Sequence, residues 1–118
     1  MAKALLNPAD LPQLPREKIN AFLAGDATSV TGTSATLVDT DKYVLVDDDT
    51  AGGAVTVNLP AAANSKGNVY HIKKLGTTAN VTVDASGSET IDGATTNVLS
   101  SQYASIMIYC DGSEWHII

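Results

Sequence analysis

From Tyr43 onward the chain alternates apolar and polar residues in short runs, each closed by turn-forming residues. The runs 43–46 and 54–59 are rich in β-branched and aromatic residues at strand spacing, with Asp47, Asp48, Asp49, Thr50, Gly52 and Gly53 between them. That pattern predicts a β-hairpin. In the second run Val55, Val57 and Leu59 point one way and Ala54, Thr56 and Asn58 the other, as in a strand with one face on a core and one in water. Pro60 has no N–H to give to a ladder and should end that strand.

The same grammar repeats downstream. Asn64, Ser65, Lys66 and Gly67 form a turn before 69–75, where Tyr70 and Ile72 share a face opposite Val69, His71 and Lys73. After Gly76, Thr77 and Thr78, the run 80–84 places Val81 and Val83 inward, and Ser86, Gly87 and Ser88 turn the chain into a short strand around Ile91. The runs 95–99, 103–110 and 115–118 complete a set of eight. Strands recurring at such short intervals, with no room for crossover helices, predict an all-β fold: a small antiparallel β-sandwich or barrel. At its end, Asp111-Gly112 suits a two-residue hairpin loop that pairs Ile108 with Trp115 and Ile106 with Ile117. The same parity puts Cys110 on the Trp115 face and His116 on the other, beside Tyr109 and Glu114; a four-residue loop preserves it.

Residues 1–32 follow no strand pattern and read as an N-terminal anchoring arm and linker, with the β-domain over 33–118. Three of the four prolines, Pro8, Pro12 and Pro15, lie in this arm. The Leu11-Pro12 and Leu14-Pro15 steps impose an extended path. Pro15 opens a short helix over 15–24 that sets Ile19, Phe22 and Leu23 on one side, and Gly25 ends it. Such a helix is too short to stand alone. Leu5, Leu6, Leu11, Leu14, Ile19, Phe22 and Leu23 are therefore expected to dock onto a neighbouring protein; the alternative is that they pack on the arm's own β-domain. The Thr-, Ser- and Gly-rich run 26–35 reads as linker.

Composition narrows the function. A net charge of −6, from 13 acidic against 7 basic residues, argues against nucleic-acid binding, which needs clustered Lys and Arg. The one basic pair, Lys73 and Lys74, reads as a solvated strand edge. The opening residues carry no signal-peptide core and no segment is apolar over a membrane-spanning length, so no membrane insertion is expected and the chain should stay in the cytoplasm where it is made. A chain of 118 residues has a modest core that association would help.

Candidate chemistry is thin. The single Cys110 cannot form an internal disulfide or a cysteine zinc site, and hairpin parity separates it from His116. It reads as a small buried hydrophobe, and His71 as a surface strand residue. Asp47, Asp48 and Asp49 offer oxygens of the kind calcium prefers but lack EF-hand spacing; a solvated acidic turn is the preferred reading. Gly52-Gly53 lacks the lysine and serine of a phosphate loop and leads into a strand. Tyr43, Tyr70, Tyr103, Tyr109 and Trp115 could stack on sugars, though hairpin parity turns Trp115 toward the core. No catalytic residue, cofactor or metal ligand set is assigned.

Five motifs carry a resemblance: YVLVD at 43–47, AVTVNLP at 54–60, VYHIKK at 69–74, SETIDG at 88–93 and DGSEWHII at 111–118. The series 43–118 resembles a β-module of tailed-bacteriophage virion proteins, where it commonly ends tail fibres, head fibres and related appendages. The resemblance implies a non-enzymatic virion structural protein, made in the host cytoplasm and built into the particle. The expected partners are phage capsid or tail proteins and further copies of the chain, as a symmetric trimer. Fibre proteins place a shaft of repeats before this module, whereas here only the arm and linker precede it. A capsid decoration or head-fibre protein held by its arm is the leading expectation. The alternative is a tail-fibre module that recognises host surface glycan. A glycan-cleaving enzyme ranks below both, because the acidic residues show no pairing suited to two catalytic carboxylates.

Overall fold

The computed structural model describes residues 27–118. The arm, including the helix expected over 15–24, lies outside the described residues. The described residues form nine strands: β1 (Thr28–Val30), β2 (Ser34–Thr36), β3 (Tyr43–Val46), β4 (Val55–Asn58), β5 (Val69–Lys74), β6 (Val81–Asp84), β7 (Thr96–Leu99), β8 (Ser105–Cys110) and β9 (Trp115–Ile117). They make a five-stranded sheet in the order β1-β3-β5-β8-β9 and a four-stranded sheet in the order β2-β4-β6-β7. Besides the strands, the described residues form one short helix, α1 (Asp48–Ala51), and a 3₁₀ turn at Ala62–Asn64.

The fold is all-β, as the alternation predicts, and the faces fall where strand parity puts them. Val44, Val46, Tyr70, Ile72, Ile108, Cys110 and Trp115 from one sheet meet Val55, Val57, Val81, Val83 and Leu99 from the other in a single buried core. Leu37, Leu59 and Ile91 close its margins. This apolar burial, worth roughly 1.5–3 kcal/mol for each fully buried Val, Leu or Ile, is the main force holding the layers together.

Pairing departs from the antiparallel expectation. β1 with β3, β3 with β5, β2 with β4 and β4 with β6 are all parallel. Only β5–β8, β6–β7 and β8–β9 are antiparallel. The cause is a coiled path: from β1 to β6 the chain alternates between the sheets, one strand in each, so sheet neighbours come from successive coils and run the same way. Parallel neighbours need a long crossover, and here the crossover is a strand in the opposite sheet instead of a helix. The hairpin expected between 43–46 and 54–59 is consequently not made. β3 and β4 belong to different sheets, and the acidic connection between them is α1. The run 26–35, expected as linker, supplies β1 and most of β2, the first strand of each sheet.

The closing hairpin keeps the expected parity with a longer loop. Cys110 pairs with Trp115, Tyr109 with His116 and Ile108 with Ile117, leaving 111–114 as the loop. The strand expected around Ile91 is reduced to bridges from Ile91 to Ala94 and to Trp115. There Asp92 and Gly93 both take positive φ, 49° and 87°, as a tight two-residue reversal requires, and Asp-Gly is a favoured pair for it.

Candidate functional site

The seven residues expected to dock, Leu5, Leu6, Leu11, Leu14, Ile19, Phe22 and Leu23, lie outside the described residues. Within the β-domain two features stand out: a buried charged corner and an apolar outer face.

The corner is built where two successive coils cross between the sheets. Asp47 caps α1, its Oδ1 accepting from the Thr50 N–H at 3.1 Å, and Gly52 ends the helix with φ 78°. The next carboxylate, Asp48, turns inward and is fully buried. Its Oδ1 accepts from the Gly76 N–H at 2.8 Å, and its Oδ2 from the N–H groups of Thr78 at 2.8 Å and Ala79 at 3.0 Å. Lys74 Nζ stands 3.2 Å from the same Oδ2 and also donates to the Gly76 carbonyl. Asp49 Oδ1, at the surface, accepts from the Thr77 N–H at 3.0 Å.

Two expectations are corrected here. Lys74 does not belong to a solvated edge: it follows Tyr70 and Ile72 on the inward side of β5 and is only 1% exposed. The acidic turn is not simply solvated either, because Asp48 is the anchor of the neighbouring loop. Burial pushes the Asp48 carboxyl upward, but the Ala79 N–H, the Lys74 ammonium and the Gly76 N–H outweigh it and hold the pKa at about 2. Gly76 is required by contact, since a Cβ there would sit 2.5 Å from Asp49 Cγ and 2.6 Å from Asp48 Oδ1. The oxygens considered for calcium thus already accept from protein donors, and the described residues contain no group of three metal-ligating side chains.

The outward faces of the two sheets differ in chemistry. The four-stranded sheet presents Ser34, Thr36, Thr56, Asn58, Thr82 and Asp84, with Val98 its one large apolar residue. The five-stranded sheet presents Tyr43, Leu45, Met107 and Ile118 together with His71 and Lys73, and these line a shallow open groove of about 460 Å³. Tyr43 and Ile118 are well exposed there, and the Tyr43 ring lies 5.0 Å from that of His71. At the rim Lys73 Nζ stands 5.3 Å from the ring of Tyr103, which is 60% exposed and holds φ 66°.

The remaining candidates separate cleanly. Cys110 is buried with its thiol on the Ala62 carbonyl, and burial pushes its pKa up. His116 lies on the opposite side of the hairpin, with Nε2 2.7 Å from Asp111 Oδ2; that carboxylate raises the imidazole pKa. Tyr70 and Trp115 are unavailable to sugars. Both are fully buried with ring centres 5.6 Å apart, and burial lifts the Tyr70 phenol to about 12 while its OH donates to the Val38 carbonyl. Trp115 Nε1–H is the one buried side-chain donor without an acceptor among the described residues.

The charged corner is the feature sequence reasoning missed, although the alternation of Tyr70 and Ile72 extends to Lys74 and was the signal for it. Compared with known proteins, the chain matches no family model and no curated sequence.

Proposed function

We propose that this chain is a non-enzymatic structural component of a tailed-bacteriophage virion, a capsid decoration or head-fibre protein attached as a symmetric trimer through its N-terminal arm. The observation that carries this reading is where the five resembling motifs fall. The first forms β3 and caps α1, the second is β4, the third is β5 at the centre of the five-stranded sheet, the fourth makes the Asp92-Gly93 reversal and the fifth is the closing hairpin. Each motif has a definite task in one continuous core.

Attachment follows from the arm's chemistry. Leu5, Leu6, Leu11 and Leu14 occupy apolar grooves on the particle, each contributing roughly 1.5–3 kcal/mol of burial, reduced by the cost of ordering an extended segment. Three arms around a symmetry axis add avidity. In a lysate of the phage that encodes it, the full chain should sediment with particles and a Leu5→Asp/Leu11→Asp variant should remain soluble. A wild-type chain found only in the soluble fraction would overturn the reading.

Exposed Tyr43 and Tyr103, the latter in a left-handed conformation beside Lys73, favour the second reading, a tail-fibre module that binds host surface glycan. Binding of the purified chain to host polysaccharide, lost in Tyr103→Ala, would select it.

A further inference from the structure

The outer face of the five-stranded sheet carries Tyr43, Leu45, Met107 and Ile118 on either side of the central His71 and Lys73 and has no cover among the described residues, while the corresponding face of the other sheet is polar. The chain outside the described residues ends at the right place to supply a cover. Ala27 leads directly into β1, the edge strand of this same sheet, and β1 is paired with β3 so that Thr28 lies level with Val44, next to Tyr43 at the groove. The outward residue at the middle of β1 is the small, exposed Ser29, which leaves the way over the edge toward Leu45 open.

We propose that residues 15–24 of the same chain lie across this face, with Ile19, Phe22 and Leu23 seated against Leu45, Met107 and Ile118. The lengths agree. Residues 25–27 can span at most about 10 Å, enough to turn over one edge strand, since strands lie about 4.8 Å apart. A ten-residue helix is about 15 Å long, close to the width from β1 to β8. Gly25 gives the turn the backbone freedom it needs. The arm is thereby divided: Ile19, Phe22 and Leu23 complete the domain, and Leu5, Leu6, Leu11 and Leu14 remain free for a partner. This assignment does not rest on the virion reading, because it is measured on the isolated chain in solution.

Met107 is one of only two methionines, so its methyl resonance is readily assigned. In the full chain, relaxation of that methyl by a soluble paramagnetic agent should be weak, and it should rise several-fold in full-length Ile19→Asp/Phe22→Asp. Leu5→Asp/Leu6→Asp should leave it unchanged. A nitroxide on full-length Ala21→Cys, where the native Cys110 is buried and protected, should broaden the Met107 methyl of its own chain. It should leave untouched the methyl of isotope-labelled wild-type chains mixed with it. Broadening only between chains would assign the face to a second copy, and no protection of Met107 in the full chain would leave it uncovered; either result overturns the proposal.

Discussion

Replacing Asp48 with alanine should cost the domain more than replacing Lys74 with methionine, although each change breaks the same ion pair. The asymmetry follows from the partners that remain. Without Lys74, the Asp48 carboxylate keeps its bonds from the Gly76, Thr78 and Ala79 N–H groups, and methionine refills the apolar stem. The expected loss is about 2–3 kcal/mol, because the ammonium's two contacts, to Asp48 and to the Gly76 carbonyl, go while the carboxylate keeps its other donors. Without Asp48, those three N–H groups and a buried ammonium lose their acceptor together, and removing one partner of a buried pair alone costs roughly 3–5 kcal/mol. A small domain has only about 5–15 kcal/mol in total, so Asp48→Ala should bring it close to unfolding at room temperature. Urea denaturation followed by fluorescence of the single, buried Trp115 reads both variants. A Lys74→Met cost equal to or above that of Asp48→Ala would refute the view that the carboxylate is the loop's anchor.

Acid should expose the same anchor. The Asp48 pKa falls from 3.8 to about 2 on folding, so its contribution is present above pH 4 and is lost as pH drops toward 2. Asp48→Asn, which keeps the side chain's size and its acceptor oxygen but cannot titrate, should flatten the stability profile across that window, and an unchanged slope would count against it. Trp115→Ala should destabilise by about 3–5 kcal/mol, since the indole is fully buried against Tyr70; denaturation followed by circular dichroism measures it, and a loss under about 1 kcal/mol contradicts this packing. Gly76→Ala should lower Tm by several degrees, because the new Cβ collides with the Asp48 and Asp49 carboxylates. The His116 imidazole should titrate above its ordinary value and move back toward it in Asp111→Asn, as followed by NMR.

The alternation of residues makes the inward faces legible in the sequence. Val55 with Val57, Tyr70 with Ile72, Val81 with Val83 and Cys110 with Trp115 all face the core as strand periodicity requires. Strand direction was not legible, because alternation is identical in parallel and antiparallel ladders. The decisive fact, that consecutive strands lie in opposite sheets, depends on long-range packing. β1 and β2 were hidden by composition: Thr28, Ser29, Ser34 and Thr36 resemble linker, and only pairing with Val44 to Val46 and Thr56 to Asn58 makes them strands. Asp48 and Lys74 each look solvated alone. They become buried because α1 and the loop after β5 stack in successive coils and bring opposite charges together.

The proposed place of the chain on the virion head is tested most directly by immunogold electron microscopy of purified particles carrying an epitope between Gly87 and Ser88, an exposed turn outside the residues that line the apolar groove. Label should be distributed over the capsid and lost when Leu5 and Leu11 are changed to aspartate. Label confined to the tail would transfer the role to adsorption, and particles without label would contradict the virion assignment itself.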